Sequence, residues 1–295
     1  MRKSTILIII LLIIAVVATG CKKEQKTIVV ASKPMTEQYI IAEMLTMLIE
    51  AKSDITVKQS LGIGGGTSNI HPALVKGEVD LYPEYTGTGW LMVLKRDPIA
   101  EPLPLYEAVK KAYSDELSLA WTGLYGFANN YVIAVRGEVA REYGLAKVSD
   151  LAAYSNTLIF AANPDFLERE DGYPGLVETY GLSFKSIKEI DIGLRFEAIS
   201  SAAADVIPIY TTDSRLKIED VVLLEDDRHY FTSYLAATIV REQTLKTYPE
   251  LTSILELLTG AINDQEMVAM NYQVEIEKQD PKDVARAFLA SKGLL

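Results

Sequence analysis

The sequence predicts an α/β protein of two similar lobes around a shared cleft, on three observations. Short apolar runs of strand character alternate with segments of helical spacing along most of the chain. A glycine-rich stretch, residues 62–90, places two candidate helix starts after one short strand, and open α/β sheets hold ligands outside the carboxyl ends of their strands. A figure also recurs: Asp80-Leu-Tyr-Pro83-Glu-Tyr85-Thr86 and Asp205-Val-Ile-Pro208-Ile-Tyr210-Thr211 share Asp, Pro, Tyr and Thr at the same spacing. Two lobes, each presenting a tyrosine and a helix N-terminus, account for this repeat; ordinary strand and turn chemistry is the plainer alternative.

Residues 1–20 stand apart. Arg2 and Lys3 precede an apolar core at residues 6–17 of signal-peptide length, and Ala18-Thr19-Gly20-Cys21 offers a small-residue cleavage site ending in the only cysteine. The run is shorter than the roughly 20 residues of a spanning helix, which makes an uncleaved anchor the lesser reading. The stretch resembles a bacterial lipobox, with Ala18 where that motif more often carries leucine. The resemblance implies cleavage before Cys21, lipidation of its thiol and amine, and a protein exported and held at the outer face of the cytoplasmic membrane. With Cys21 so used no disulfide is possible, and a chain of 295 residues with 49% apolar content can build its cores without one. Removing Arg2 and Lys3 leaves 27 basic against 40 acidic residues, a charge of −13 that argues against nucleic acid, whose phosphates demand a basic face.

Taken in order, residues 21–26 read as a polar tether. Residues 27–32 (Thr-Ile-Val-Val-Ala-Ser) form a buried strand of the kind parallel sheets use. Thr36 is placed to cap a helix carrying Ile40, Ile41, Met44, Leu45 and Leu48 on one face. A strand at 55–59 precedes Gly64, Gly65 and Gly66, which free the backbone to take positive φ, and Thr67 and Ser68, which are placed to cap a helix at 68–76. A strand at 79–81 leads to a rigid turn at 82–88 and a second helix start. Residues 92–104 read as loop, 105–114 as helix, and 131–135 as a strand crossing between lobes. There follow a helix near 139–143, Ser149 capping 150–154, strands at 157–161, 188–192, 205–210 and 221–225, and helices at 174–180 and 195–204. Residues 226–234 form a polar, aromatic crossing back, and the remainder is read as mostly helical.

Several chemistries are missing. His71 and His229 lack Cys or His neighbours at ligand spacing, so no metal site is expected. The glycine loop has no following Gly-Lys-Ser/Thr, and no Gly-x-Ser-x-Gly elbow occurs, so neither a nucleotide cofactor nor a serine nucleophile is expected. An exported enzyme would need a carboxylate pair, for which Asp165 and Glu168 are the candidates. The conspicuous feature is tyrosine, 16 against 7 Phe and 2 Trp, often in turns beside Gly, Thr and Asn. A cleft lined by tyrosine faces suits a quaternary ammonium, which donates no hydrogen bond and is drawn to the ring quadrupoles. Ordinary half-buried packing is the alternative for any one of these rings. A primary ammonium, as in an amino acid or polyamine, would need acceptors beside them, with Glu84 and Asp213 available.

Four stretches then point to a family. Lys33-Pro-Met-Thr-Glu-Gln38, Gly62-Ile-Gly-Gly-Gly-Thr-Ser-Asn-Ile-His71, Val79-Asp-Leu-Tyr-Pro-Glu-Tyr-Thr-Gly-Thr88 and Tyr210-Thr-Thr-Asp213 together resemble the substrate-binding proteins of osmoprotectant ABC importers, which take up glycine betaine, choline, carnitine and related betaines. The resemblance runs from about residue 27 to the end. It implies a type II periplasmic-binding-protein fold with lobes at 27–129 plus 230–295 and at 130–229, and a membrane permease partner with a separate ATPase. It also implies an aromatic box of Tyr85, Tyr131, Tyr210 and Tyr234 around the trimethylammonium group. Lys33, Thr88 and Arg169 would take a carboxylate, with Gln38 and Asn130 as further contacts. Asn129 stands where some relatives carry aspartate, and the return crossing lacks the prolines common in relatives, which leaves Tyr230 beside Tyr234 as a candidate for the last ring.

Overall fold

The computed structural model describes residues 26–217 and 219–295. The expected leader, the lipobox and Cys21 lie outside the described residues. Of the expected tether only Lys26 is described, and it is ion-paired with Asp54 at 2.7 Å and Glu250 at 2.8 Å rather than free in solvent.

Two five-stranded mixed sheets carry the fold. The first contains β1 (Thr27–Ala31), β2 (Thr56–Ser60), β3 (Leu81–Tyr85), β4 (Leu119–Trp121) and the late strand β10 (Ala236–Arg241), in the order β2-β1-β3-β10-β4. The second contains β5 (Tyr131–Arg136), β6 (Ile159–Ala162), β7 (Ser186–Glu189), β8 (Val206–Tyr210) and β9 (Val221–Leu223), in the order β7-β6-β8-β5-β9. In each sheet the first three strands of that order are parallel and the last two pairings antiparallel. The two copies of the recurring motif occupy corresponding central strands, β3 and β8. Asp80 accepts from the Val29 amide at 2.8 Å and Asp205 from the Ile159 amide at 2.9 Å, so each aspartate pins its strand to the parallel neighbour.

Both motif prolines lie inside strands, not in turns. Pro83 faces Thr238 on β10, but both backbone polar groups of Thr238 are turned to Thr122, so the pair is a non-hydrogen-bonded one. The missing N–H of Pro83 therefore breaks no bond with β10. This converts the expected turn at 82–88 into strand up to Tyr85, with the helical turn Thr88–Val93 following.

Other boundaries also shift. Thr36 is the first residue of its helix, Thr36–Lys52, and makes no cap bond; neither do Thr67 and Ser68, because the cap position of the helix Thr67–Lys76 is Gly66, at positive φ (57°) and without a side chain. Gly62, Gly65 and Gly66 have positive φ, whereas Gly64 does not. Ser149 is replaced as a cap by Asp150, which accepts from the amides of Ala146 and Lys147. The helix expected at 105–114 spans Pro102–Leu117, its prolines tolerated where first-turn amides have no helical partner. β4, β10 and the short helix Pro164–Glu168 are additional to the expected elements.

The helix Thr36–Lys52 is buried on nearly every side: Ile40, Ile41, Met44, Leu45 and Leu48 are covered, and so are Ala42, Met47 and Ile49. It lies between the first sheet and the C-terminal helices Glu250–Leu255, Asp264–Glu275 and Pro281–Ser291. The chain passes between the sheets at residues 122–130 and 224–235. These crossings run side by side, joined by an antiparallel bridge between Ala128 and Leu235 and by the Asn129 amide donating to the Tyr234 carbonyl at 3.0 Å. Among the described residues no helix is long and apolar enough to cross a membrane.

Candidate functional site

The central strands and the crossings converge on a cavity of about 390 Å³. Tyr85 ends β3, Tyr210 ends β8, Tyr131 begins β5 and Tyr234 lies in the second crossing just before β10. Because β5 and β8 are antiparallel, Tyr131 sits directly opposite Tyr210, with ring centroids 5.1 Å apart. Tyr234 meets Tyr131 edge-on at 5.3 Å, and Phe166 and Phe231 support Tyr131 at 5.0 and 5.6 Å. All four tyrosines line the cavity. Gly87 permits the close passage of the chain over Tyr234, since a Cβ there would lie 2.7 Å from that ring. Burial pushes the phenols of Tyr85, Tyr131 and Tyr234 well above their ordinary value, so the rings stay neutral.

Two of the rings already carry a cation of the protein. Lys33 Nζ stands 4.5 Å from the Tyr85 centroid, and the Arg195 guanidinium 4.8 Å from that of Tyr210. The faces without such a neighbour belong to Tyr131 and Tyr234 among these four.

The polar residues are held with equal care. Lys33 Nζ donates to the fully buried Glu84 at 2.5 Å and to Thr67 at 3.3 Å, which leaves one of its three donors for the cavity. Glu84 also accepts from Thr67 at 2.8 Å and Tyr82 at 3.1 Å. Arg169 is gripped by Asp171 through two bonds, at 2.8 and 2.5 Å, and approaches Asp165 at 3.5 Å. The Tyr234 hydroxyl donates to the same Asp171 at 2.8 Å, so cage ring and guanidinium are fixed by one carboxylate. Burial opposes the charge on Arg169, but the paired Asp171 carboxylate outweighs it and leaves it more firmly protonated than usual. Lys33, Thr88, Asn129 and Arg169 all line the cavity.

Gln38 does not line it. Fully buried behind Tyr85, it donates to the phenol oxygen at 3.0 Å and so positions that ring. Asn130 is likewise outside the cavity wall; its side chain accepts from the Tyr234 amide at 2.9 Å. Tyr230 lies outside the wall too, its hydroxyl donating to the carbonyls of Glu170 and Gly172 at 3.0 and 2.8 Å. Tyr234 is the aromatic residue of that crossing that faces the cavity. Glu84, offered to a primary ammonium, is consumed by Lys33, Thr67 and Tyr82, and Asp213 does not reach this cavity but pairs with Arg195 at 3.2 Å. Glu168 is absent from the wall, so Asp165 and Glu168 do not assemble as a facing pair there. Among the described residues no group of three His, Cys, Asp or Glu could hold a metal ion.

Sequence reasoning missed Met35, Asn163, Asp165, Asp191 and Ile192 as wall residues, and Asp171 and Glu37 as supports. Glu37, buried at 2% exposure, accepts from Asn129 at 2.6 Å and from the Tyr85 hydroxyl. Burial raises its carboxyl above the ordinary value, against the lowering influence of Tyr85 and the nearby amides. Asp165 and Asp171, flanking Arg169 in the sequence, are the local signal for the guanidinium grip.

Residues 26–291 match the family described as the substrate binding domain of the ABC-type glycine betaine transport system. The chain belongs to this family. Among curated relatives, it is 45% identical over 92% of its length to the ergothioneine transport permease/ergothioneine binding protein EgtU of Helicobacter pylori, and it spans only 48% of that protein. The carnitine transport binding protein OpuCC of Listeria monocytogenes is 34% identical, over 89% of this chain and 86% of the relative. A crystal structure of a glycine betaine/carnitine/choline ABC transporter protein superimposes with a TM-score of 0.72 at 31% identity, over 90% of this chain and 99% of the other. The two-sheet α/β architecture is thus that of solved solute-binding proteins of this family.

Proposed function

We propose that the protein is an extracytoplasmic receptor that captures a betaine-type quaternary ammonium solute between two lobes and delivers it to an ABC permease. The observation that carries the reading is the convergence of four tyrosines, three from strands of both sheets and one from the second crossing, on one cavity that also holds Lys33 and Arg169. Each ring face contributes about 0.5–2 kcal/mol to a desolvated cation. Several such faces with one charge contact reach micromolar affinity, about −8 kcal/mol. Tyr131 and Tyr234 are the two rings that carry no cation of the protein, while Arg169, Lys33 and Thr88 receive a carboxylate. The lobes are residues 27–129 plus 230–295 and residues 130–229, and they close by bending at the two crossings.

No bond is made or broken by this chain in this reading. A signal peptide at residues 1–20 directs export, and lipidated Cys21 anchors the protein at the outer face of the cytoplasmic membrane, each buried methylene adding about 0.8 kcal/mol. The name of the Helicobacter relative joins permease and binding protein, which supports a transport partner here, with ATP hydrolysis left to a separate subunit.

The test is calorimetric titration of the full chain in detergent with glycine betaine, choline, carnitine and ergothioneine, on the native protein, Tyr131→Ala and Arg169→Ala. One of these solutes binds at micromolar strength or better (about −8 kcal/mol), Tyr131→Ala abolishes binding, and Arg169→Ala weakens the carboxylate-bearing ligands selectively. A folded protein that binds none of the four sinks the reading.

A further inference from the structure

Around the tyrosine cage the carboxylates of Glu84, Asp171 and Asp213 each face a cation of the protein, namely Lys33, Arg169 and Arg195. Glu37 differs from them. It stands in the first turn of the helix Thr36–Lys52, 2% exposed, and its partners among the described residues are neutral. Its Oε1 accepts from the Tyr85 hydroxyl and from the Asn129 amide at 2.6 Å, and Thr212 and Asn271 also bond to the carboxyl through their side chains.

Tyr85 and Asn129 both line the main cavity, so this carboxyl is one hydrogen bond removed from it on two sides. The charged groups packed around Glu37 do not offset it. Lys33, over the ring of Tyr85, is engaged by Glu84, and Arg195 by Asp213. Glu275, on the helix Asp264–Glu275, accepts from the Ser214 hydroxyl at 2.5 Å, and it shares with Glu37 and Asp191 the wall of a second cavity, of about 210 Å³. The phenols of Tyr39 and Tyr85 add no cation. Acid thus exceeds base at this junction.

Two influences on the Glu37 carboxyl are opposed. Burial favours the neutral acid, whereas Tyr85, Thr212, Asn129 and Asn271 favour the ion by hydrogen bonding to it. Burial prevails, but an opposite charge within about 4–6 Å favours ionisation. A quaternary ammonium in the cage brings a charge of that sign against Tyr85 and Asn129, and it cannot satisfy a carboxylate by donating a proton.

We propose that Glu37 is the proton-releasing counter-charge of the cage: it is a neutral acid in the free receptor and ionises when a quaternary ammonium enters, so that solute capture expels a proton. The idea rests on the betaine reading and adds to it a charge partner and a pH dependence. The bond that breaks is the Glu37 O–H; its electron pair stays on the carboxylate and its proton passes to solvent. The hydrogen bonds from Tyr85 and Asn129 are already aimed at the carboxyl that takes the charge. The liganded protein then holds this proton less tightly than the free protein does, so affinity rises with pH between the two titrations and is level on either side of them.

Calorimetric titration of the full chain in detergent with glycine betaine, choline, carnitine and ergothioneine counts the protons when it is repeated in buffers of different ionisation enthalpy, at several pH values from about 5 to about 9. Each of these solutes that binds releases at least about 0.3 proton per site at the maximum, and its affinity rises at least about threefold across that range. Glu37→Gln keeps an acceptor for Tyr85 and cannot ionise; it releases less than about 0.1 proton, and its affinity varies with pH by less than about twofold. Native protein that binds a solute with no release, or with uptake instead, overturns the proposal and leaves the betaine reading standing. Equal release from a folded Glu37→Gln variant does the same. If none of the four solutes binds, the betaine reading falls and the proposal with it. Should the variant not fold, carbon-13 labelling of the glutamate carboxyls decides on the native protein: saturation with the solute that binds moves one glutamate signal from its acid to its ionised position, and an unmoved spectrum overturns the proposal.

Discussion

Glu37 shows how a single residue couples the cage to its surroundings. Its carboxyl lies behind Tyr85 and Asn129, and burial favours the protonated form. The sign of the pH effect follows directly. Because the folded-state pKa is raised, the native protein binds more protons than the unfolded chain above the ordinary value of 4.5, so this group costs stability progressively as pH rises past that point. Glu37→Gln keeps a carbonyl oxygen for Tyr85 and cannot ionise. The variant should therefore gain in thermal midpoint relative to the native protein as pH rises from about 5 to about 8. Equal differences at both ends of that range, measured by calorimetric melting, would show that Glu37 carries its charge at no cost.

At the scale of elements, the helix Thr36–Lys52 is the framework behind the first sheet. It delivers Glu37 and Gln38 to the cage from its first turn and buries its later turns against the C-terminal helices. Leu45 is fully buried at its centre. Leu45→Ala leaves a cavity that close-packed neighbours fill only in part, for a loss of about 2–5 kcal/mol in unfolding free energy by urea titration. The same helix explains an error of reading. Five apolar positions at helical spacing suggested one buried face, but the packing of three later helices buries the other faces too. The crossings are constrained as well, because they carry Asn129 and Tyr234 while connecting the sheets. Gly126 there has φ 114°, and a Cβ would come within 2.7 Å of the Ile262 carbonyl. Gly126→Ala should destabilise by more than about 1 kcal/mol, visible as a lowered urea midpoint.

At the scale of the whole molecule, charge sets how solutes arrive. With 40 acidic against 29 basic residues the chain is strongly anionic, and most of that charge is exposed to salt. Choline is a cation and is attracted by this field, whereas glycine betaine is net neutral and is not. Raising ionic strength from about 0.05 to about 0.5 M should therefore weaken choline binding several-fold and leave glycine betaine nearly unchanged. Identical salt dependence for the two ligands in calorimetry would place the discriminating charges inside the cavity rather than in the overall field.

The amino-acid sequence by itself determined the alternation of strands and helices and the two motif copies with their tyrosines, Tyr85 and Tyr210. These rest on local rules of periodicity and spacing, which residues 27–31, 80–86 and 205–211 obey. Only the tertiary structure decided what is non-local. β10, read as part of a helical remainder, is a strand because β3 and β4 lie on either side to receive its hydrogen bonds. Pro83 and Pro208 sit in strands because their partners leave those positions unbonded or pair them across antiparallel neighbours. Arg169 is held by Asp171, two residues on, and Asp171 in turn by the Tyr234 hydroxyl, 63 residues further along the chain. Glu37, Asn129 and Asn271 share one cavity wall across more than two hundred residues of chain (37 to 271) because three segments fold onto it. Spacing along a chain fixes which face a residue shares with its neighbours, but only packing fixes which partners that face will meet.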